Sequence, residues 1–129
     1  MQRDRTALVF LAPRLVESSE QFSEKANWTQ IRRRYMLLGQ TLDGMRVWDI
    51  RCGALAIKSL PEFRNSQLVV RARGPMGVNA AYAALFEPKI SRLELSEMPS
   101  SHMEGPDYLG VLRFTDIPNV LAALGDKLK

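Results

Sequence analysis

The residues best placed to do chemistry follow a predicted strand, in the stretch Gly74-Pro-Met-Gly-Val-Asn79. The sequence predicts a strand over Gln67–Ala72, then a tight turn, then an alanine-rich helix over Val78–Phe86. Such a turn can present a serine nucleophile when it follows the pattern G-x-S-x-G. Here the central position holds Met76, whose thioether has no proton to lose, and Val78 replaces the last glycine. The turn therefore lacks the reactive atom that its layout would position.

The same turn can also be interpreted as an anion-binding site. Backbone N–H groups at a helix start can hold a phosphate or carboxylate, and here they would come from Gly74, Gly77, Val78 and Asn79. The match to G-x-G-x-x-G is poor, no P-loop lysine is present, and Pro75 removes one donor. A tight strand-to-helix connection that binds nothing is the simpler interpretation.

A third set of candidates lies in the predicted loop Glu97–Asp107, which follows a predicted strand over Ile90–Leu95. The carboxyl end of a parallel strand is where open α/β sheets bind ligands. Ser101 as nucleophile, His102 as base and Asp107 as the group that orients the base are the weak catalytic candidates. Adjacent residues seldom aim their side chains at each other, so we expect His102 to order the loop through hydrogen bonds instead.

Composition describes a single domain spanning residues 1–129, of which 46% are hydrophobic and 25% charged. One histidine and one cysteine exclude a metal site built on several imidazoles or thiolates, and an intramolecular disulfide. No metal and no cofactor is expected. Cys52 falls in a helical pattern and is predicted to be a small buried apolar residue.

The formal net charge of +4 raises the question of nucleic acid. The only dense basic cluster is Arg32–Arg34, and one triplet without a wider basic face does not predict binding. A solvated or interface role is expected for it. The apolar run before Pro13 is too short for a signal-peptide core or a membrane span, so no membrane partner is expected and a cytoplasmic location is favoured.

The remaining pattern alternates strands with helices. Thr6–Ala12 is predicted to be a buried strand closed by Pro13, and the polar residues 14–27 a flexible connection or short helix. Helices are predicted, with their N-caps where one is recognised, over Trp28–Leu38 (Asn27), Leu42–Leu60 (Thr41), Tyr108–Phe114 and Ile117–Leu128 (Asp116, with Pro118 at the first position). The resulting fold class is α/β, a three-layer α/β/α domain with a short, mainly parallel sheet.

The longest predicted helix, Leu42–Leu60, carries two apolar tracks. One track comprises Met45, Trp48, Cys52 and Leu55, and the other Val47, Ile50, Ala54 and Ile57. Two tracks predict a broad buried face, as on a helix packed against a sheet.

Three stretches resemble one known family. Tyr35-Met-Leu-Leu-Gly-Gln-Thr-Leu-Asp-Gly-Met-Arg-Val-Trp-Asp-Ile-Arg51 is similar to the helical segment before the nucleophile strand in bacterial acetyl-xylan-esterase-like proteins. Ala81-Tyr-Ala-Ala-Leu-Phe-Glu-Pro88 and Ser101-His-Met-Glu-Gly-Pro-Asp-Tyr-Leu-Gly-Val-Leu-Arg113 resemble later parts of such domains. These proteins are α/β-hydrolases, related to dienelactone hydrolase and prolyl oligopeptidase. The resemblance runs from about residue 35 to the C-terminus.

The resemblance implies a partial α/β-hydrolase-like domain with a degenerate nucleophile elbow at Gly74, Met76 and Gly77. It implies a structural or interaction role rather than catalysis by this chain. The alternatives are a carboxylic ester hydrolase acting on acetyl esters, completed by further sequence, and a small anion- or nucleotide-binding module. A short sheet leaves open edges, so we expect a homo-oligomer formed by pairing sheets or by packing helix faces around Trp28–Leu60.

Overall fold

A computed structural model describes residues 6–15 and 25–129, which form four helices and two strands joined by turns. In chain order the elements are α1 (Lys25–Leu37), α2 (Leu42–Ser59), β1 (Val69–Arg73), α3 (Pro75–Phe86), β2 (Arg92–Ser96) and α4 (Ile117–Leu124). Single 3₁₀ turns lie at Pro61–Phe63, Val111–Arg113 and Gly125–Lys127.

The two strands form a parallel pair with α3 as the crossover between them, as predicted. Val70 lies opposite Leu93 and Ala72 opposite Leu95, and all four side chains pack against the core under α3. Alternation along β1 turns Val69, Arg71 and Arg73 to the other face, which is exposed. Within the described residues, helices therefore cover one face of the sheet.

The core is built around α3, whose alanines at 80, 81, 83 and 84 are completely buried. These small side chains let the helix lie close to the sheet on one side and to α2 and α4 on its flanks. Ile90 and Leu93 are the largest apolar side chains buried below it. Because α3 is wrapped on several sides, it shows almost no polar face, unlike an ordinary surface helix.

Helix α2 begins and ends close to the prediction, but only one of its two apolar tracks is buried. The hydroxyl of Thr41 accepts from the Gly44 N–H at 3.0 Å, which confirms the predicted N-cap. Val47, Ile50 and Ala54 face α3. Trp48 is 57% exposed and Cys52 is exposed too, so the prediction of a buried cysteine is wrong. Helix α2 packs on α3 along one stripe, so the other stripe remains largely exposed whatever residues it contains.

The predicted strand Thr6–Ala12 is wrong. These residues have no regular secondary structure, and Leu8 and Phe10 are 73% and 89% exposed. A β-prone run becomes a strand only where another strand offers it hydrogen bonds. The described part of the chain places none beside it.

Helix boundaries differ from the prediction at both ends of the chain. Helix α1 begins at Lys25, so Asn27 is not its N-cap; residues 16–24 lie outside the described residues. Gly39, with a φ of +70°, follows the helix end, where glycine is the residue that most readily adopts a left-handed conformation. The predicted helix Tyr108–Phe114 is reduced to one 3₁₀ turn after Gly110, which adopts a left-handed conformation. Asp116 caps α4 as predicted, although Pro118 occupies the second position.

Candidate functional site

The strand-to-helix bend is at Gly74. Its backbone, with φ +60° and ψ −142°, has a conformation that side-chain-bearing residues rarely adopt. Its N–H donates to the Ser96 carbonyl at 2.9 Å, which fixes the bend to the end of β2. Pro75 is then the first residue of α3, where its fixed φ favours the helix and its missing N–H breaks no helical bond.

The residues after the bend are structural. Met76 lies in the first turn of α3, not at the bend, and its sulfur is 3.7 Å from the Asn79 amide nitrogen. A Cβ added to Gly77 would be 2.9 Å from Met98 Cγ, so the glycine permits close packing there. At the position where a nucleophile could be presented, the chain has a glycine without a side chain.

A buried polar cluster joins the first turns of α2 and α3. Asn79 is completely buried; its amide nitrogen donates to Asp43 Oδ1 at 3.2 Å, and its amide oxygen accepts from the Tyr108 hydroxyl. Asp43 Oδ2 accepts from the Asp107 N–H at 3.0 Å, and Arg46 contacts Asp43 Oδ1 at 3.3 Å. Burial raises the pKa of Tyr108, helped by the nearby Asp43 charge. The phenol therefore stays neutral and donates.

His102 belongs to an adjacent aromatic group and is only 5% exposed. Its Nδ1 lies 3.0 Å from the Pro106 carbonyl, which can only accept, so Nδ1 carries the proton. Nε2 then accepts from the Tyr82 hydroxyl at 2.9 Å. The rings of Tyr82 and Tyr108 lie 4.6 Å apart, and both pack on the imidazole. Both ring nitrogens are occupied, which confirms the expected loop-ordering role.

Asp116 anchors the same loop from the start of α4. One carboxylate oxygen accepts from the N–H groups of His102 and Ile117, each at 2.8 Å, and the other accepts from the Ser101 hydroxyl at 2.6 Å. The Ser101 hydrogen bond, followed by the backbone donors, holds the pKa of Asp116 below its ordinary value. The carboxylate thus serves the helix and the loop together.

These contacts separate the catalytic candidates from one another. The Ser101 hydroxyl donates to Asp116 rather than to the imidazole, and the Asp107 carboxylate pairs with Arg32. Asp107 therefore does not orient His102; Tyr82 and the Pro106 carbonyl do. Sequence separation hid the Tyr82 partner, since Tyr82 lies 20 residues from His102 and carries no motif, whereas Pro106 lies only four residues away.

The predicted anion site is not accessible either. Gly77, Val78 and Asn79 are buried, so a ligand outside the protein cannot touch them. The Gly77 N–H donates to the Gly74 carbonyl at 2.9 Å, and the nearby carboxylate of Asp43 would repel an anion. The turn is used to close the fold.

A cavity of about 250 Å³ opens beside the buried polar cluster of Asp43, Asn79 and Tyr108. Its lining includes Arg32, Asp43, Arg46 and Asp107 together with apolar groups from Trp28, Met36 and Pro106. The arginines are already paired, Arg32 with Asp107 and Arg46 with Asp43. The charges therefore neutralise each other, and the cavity offers a ligand no unpaired arginine.

The described residues, 6–15 and 25–129, contain neither a cluster of metal ligands nor a membrane-spanning helix. No group of three or more histidine, cysteine or acidic side chains is arranged to hold a metal ion. No helix there has the length and apolar character needed to span a bilayer.

Comparison of the chain with protein-family models, with curated proteins and with solved structures found no match.

Proposed function

We propose that this chain is an α/β-hydrolase-like domain without a competent serine nucleophile, and that it serves a structural or interaction role. The observation that carries the proposal is the bend between β1 and α3. Gly74 occupies the bend and has no side chain. An acyl intermediate needs a nucleophilic atom there, and none is supplied by Met76, which lies in the helix.

A second feature of the bend supports the same proposal. In serine hydrolases of this type the backbone N–H of the residue after the nucleophile helps to bind the oxyanion. Because the structure places the bend at Gly74, the following residue is Pro75 and not the Gly77 that follows Met76 in the sequence pattern, and proline has no N–H. Removing one oxyanion-hole donor costs a factor of roughly 10²–10³ in kcat. The chain thus lacks both the attacking atom and one stabilising donor.

The interaction role is supported by the apolar surface. Trp48 on α2, Phe86 at the end of α3 and Phe114 are each more than half exposed. The Arg51 guanidinium lies 5.4 Å from the Trp48 ring centroid and 5.9 Å from that of Phe86, so these two side chains share one patch. Contiguous exposed apolar patches are typical of surfaces that contact another protein. We propose that the interaction role is self-association.

The finer architecture is also a proposal. A three-layer α/β/α domain would require a second helical layer over the sheet face that carries Arg71 and Glu94. The parallel pairing and the α3 crossover are consistent with such a fold. Leu128 also forms an isolated parallel bridge to Leu93. The chain near Leu128 therefore pairs with β2 as a further parallel strand would.

The alternative, an acetyl-ester hydrolase completed by further sequence, gains no support from the site. Added sequence would leave glycine at the bend, and His102 would still be occupied by Tyr82.

Labelling with a fluorophosphonate ester tests the proposal. We expect no serine of the folded chain to be labelled, with an active serine esterase as the positive control. Gly74→Ser should also remain unlabelled and should not hydrolyse p-nitrophenyl acetate above the rate of the parent chain. Stoichiometric labelling of any serine in the parent chain would overturn the proposal and favour the esterase.

A further inference from the structure

The outer edge of β1 is unpaired in the described part of the chain. The sheet contains two strands, and β1 contacts β2 along one side only. On the far side of β2, Leu128 already forms a bridge, and the Lys129 N–H donates to the Leu93 carbonyl at 3.2 Å. The open edge is therefore the one on β1, and an open edge is a template for a further strand.

The usual protection of such an edge is weak here. Natural edge strands are guarded by charged side chains that resist pairing. In β1 the charged side chains that could resist pairing are Arg71 and Arg73. However, Arg71 Nε lies 2.5 Å from Glu94 Oε2, and Arg73 pairs with Glu97. Both guanidinium groups are paired within the same chain, so adding an uncharged strand would not leave an unpaired charge beside it.

The chain also has an uncharged segment that suits this edge. Thr6-Ala-Leu-Val-Phe10 is rich in β-prone residues, has no regular structure, and exposes Leu8, Val9 and Phe10 by 73%, 55% and 89%. None of its backbone groups is bonded to the backbone of another described residue. Its five residues equal the length of β1.

The segment is held away from the β1 edge of its own chain. Arg14 forms two side-chain hydrogen bonds to Asp49 of α2, at 2.8 and 2.6 Å. Leu11 packs on the same helix, where its side chain would lie 3.0 Å from a Cβ at Gly53. These contacts place the chain next to the segment on α2 and not on its own β1, and a second copy can offer its edge without disturbing them.

From these observations we infer that residues 6–10 of one copy add a strand to the β1 edge of a second copy. Reciprocal exchange covers both open edges in a closed dimer and buries the exposed apolar side chains. The inference rests on the interaction role proposed above and specifies how that role is performed.

Cross-linking between two differently marked copies tests this pairing. In a Cys52→Ser background, Val9→Cys is mixed with Arg71→Cys and treated with a short bismaleimide. Leu8→Cys and Phe10→Cys are tested in the same way, because register sets which side chains share a face. The control mixture pairs Val9→Cys with Asn119→Cys, an exposed position on α4. We expect a dimer from at least one mixture with Arg71→Cys and none from the control.

A strand-breaking variant gives an independent readout. Val9→Pro removes one backbone donor from an exposed segment, so the fold and its Tm should persist while the dimer Kd rises by roughly tenfold or more. A parent chain that is monomeric at micromolar concentration would overturn the inference. So would a chain that carries both Val9→Cys and Arg71→Cys and that cross-links only within itself. A dimer unaffected by Val9→Pro would overturn the strand exchange and leave the interaction role standing. Serine labelling, by contrast, would overturn the non-catalytic proposal alone.

Discussion

Asn79 donates from its amide nitrogen to Asp43 Oδ1 at 3.2 Å, and this contact ties the first turn of α3 to the first turn of α2. The side chain of Asn79 is completely buried and also accepts from Tyr108. Polar side chains are buried at this level only where their hydrogen bonds are satisfied. The cluster therefore fixes the start of α3 and, with it, the bend at Gly74.

Replacing Asn79 with leucine should strongly destabilise the domain. The substitution leaves the buried hydroxyl of Tyr108 without its acceptor, and each buried polar group left unpaired costs about 1–3 kcal/mol. We expect a loss of about 2–4 kcal/mol in the free energy of unfolding, measured in urea. Asn119→Leu on the exposed side of α4 is the matched control and should change stability by less than about 0.5 kcal/mol. Equal effects of the two variants would contradict the assigned role.

Two glycines at the bend should respond differently to alanine. The Cβ added by Gly74→Ala would lie in open space, with the Glu97 carbonyl oxygen nearest at 4.0 Å. The variant should therefore lose about 1–3 kcal/mol of stability through backbone strain alone. Gly77→Ala instead collides with Met98 Cγ at 2.9 Å. A Met98→Ala background should therefore relieve the cost of Gly77→Ala and leave that of Gly74→Ala unchanged. A double-mutant cycle from urea unfolding measures the difference, and relief of both variants would show that the bend is not strained at Gly74.

The sequence predicts those features of the fold that depend on residues close together in the chain. The Thr41 and Asp116 caps, the glycine bend and the parallel strands were predictable because turn and cap chemistry acts within a few residues. Thr6–Ala12 was predicted wrongly because strand formation needs a partner that local pattern does not reveal.

The candidate site was less predictable than the fold. His102 was correctly expected to order its loop, but its partners could not be identified from neighbouring positions. Tyr82 lies on α3, and the Asp43–Asn79 contact spans 36 residues. Only the folded arrangement of α2 and α3 brings these groups together, since none of them belongs to a motif.

The unequal faces of α2 lead to a prediction about packing. Ile50 is 5% exposed, and its truncation to alanine should cost about 2–5 kcal/mol through lost burial and the cavity left behind. Leu55 is 38% exposed, so Leu55→Ala should cost much less in the monomer. The two variants remove similar side chains from one helix, so helix propensity changes little between them. Thermal unfolding at low concentration measures the difference, and equal losses would mean that both tracks are buried.

The stability of the fold should depend on pH through the ionisation of Asp116. Its pKa is lowered in the folded state, so its ionised form stabilises the fold above the ordinary carboxyl pKa of about 4. That contribution is lost as the pH falls from this value toward the lower folded pKa. We expect Asp116→Asn to lower Tm at neutral pH and the gap from the parent chain to narrow below about pH 4. Asp126→Asn, at an exposed position, controls for the loss of one negative charge. A gap that stays constant with pH would exclude the linkage.

The Arg14–Asp49 pair should control how firmly residues 11–15 lie on α2. The pair has fork geometry, and Arg14 holds the pKa of Asp49 below its ordinary value. The Arg14 side chain is 44% exposed, so Asp49→Asn should cost only about 0.5–1 kcal/mol of global stability. The larger effect should be local, because the segment is held at few other points. We expect faster amide hydrogen exchange and faster limited proteolysis in residues 11–15, with Asp126→Asn as the control. If the segment stays equally protected in Asp49→Asn, the anchor lies instead in the Leu11 contact at Gly53 or in Arg46, which donates to the carbonyls of Arg14 and Leu15 at 3.2 Å.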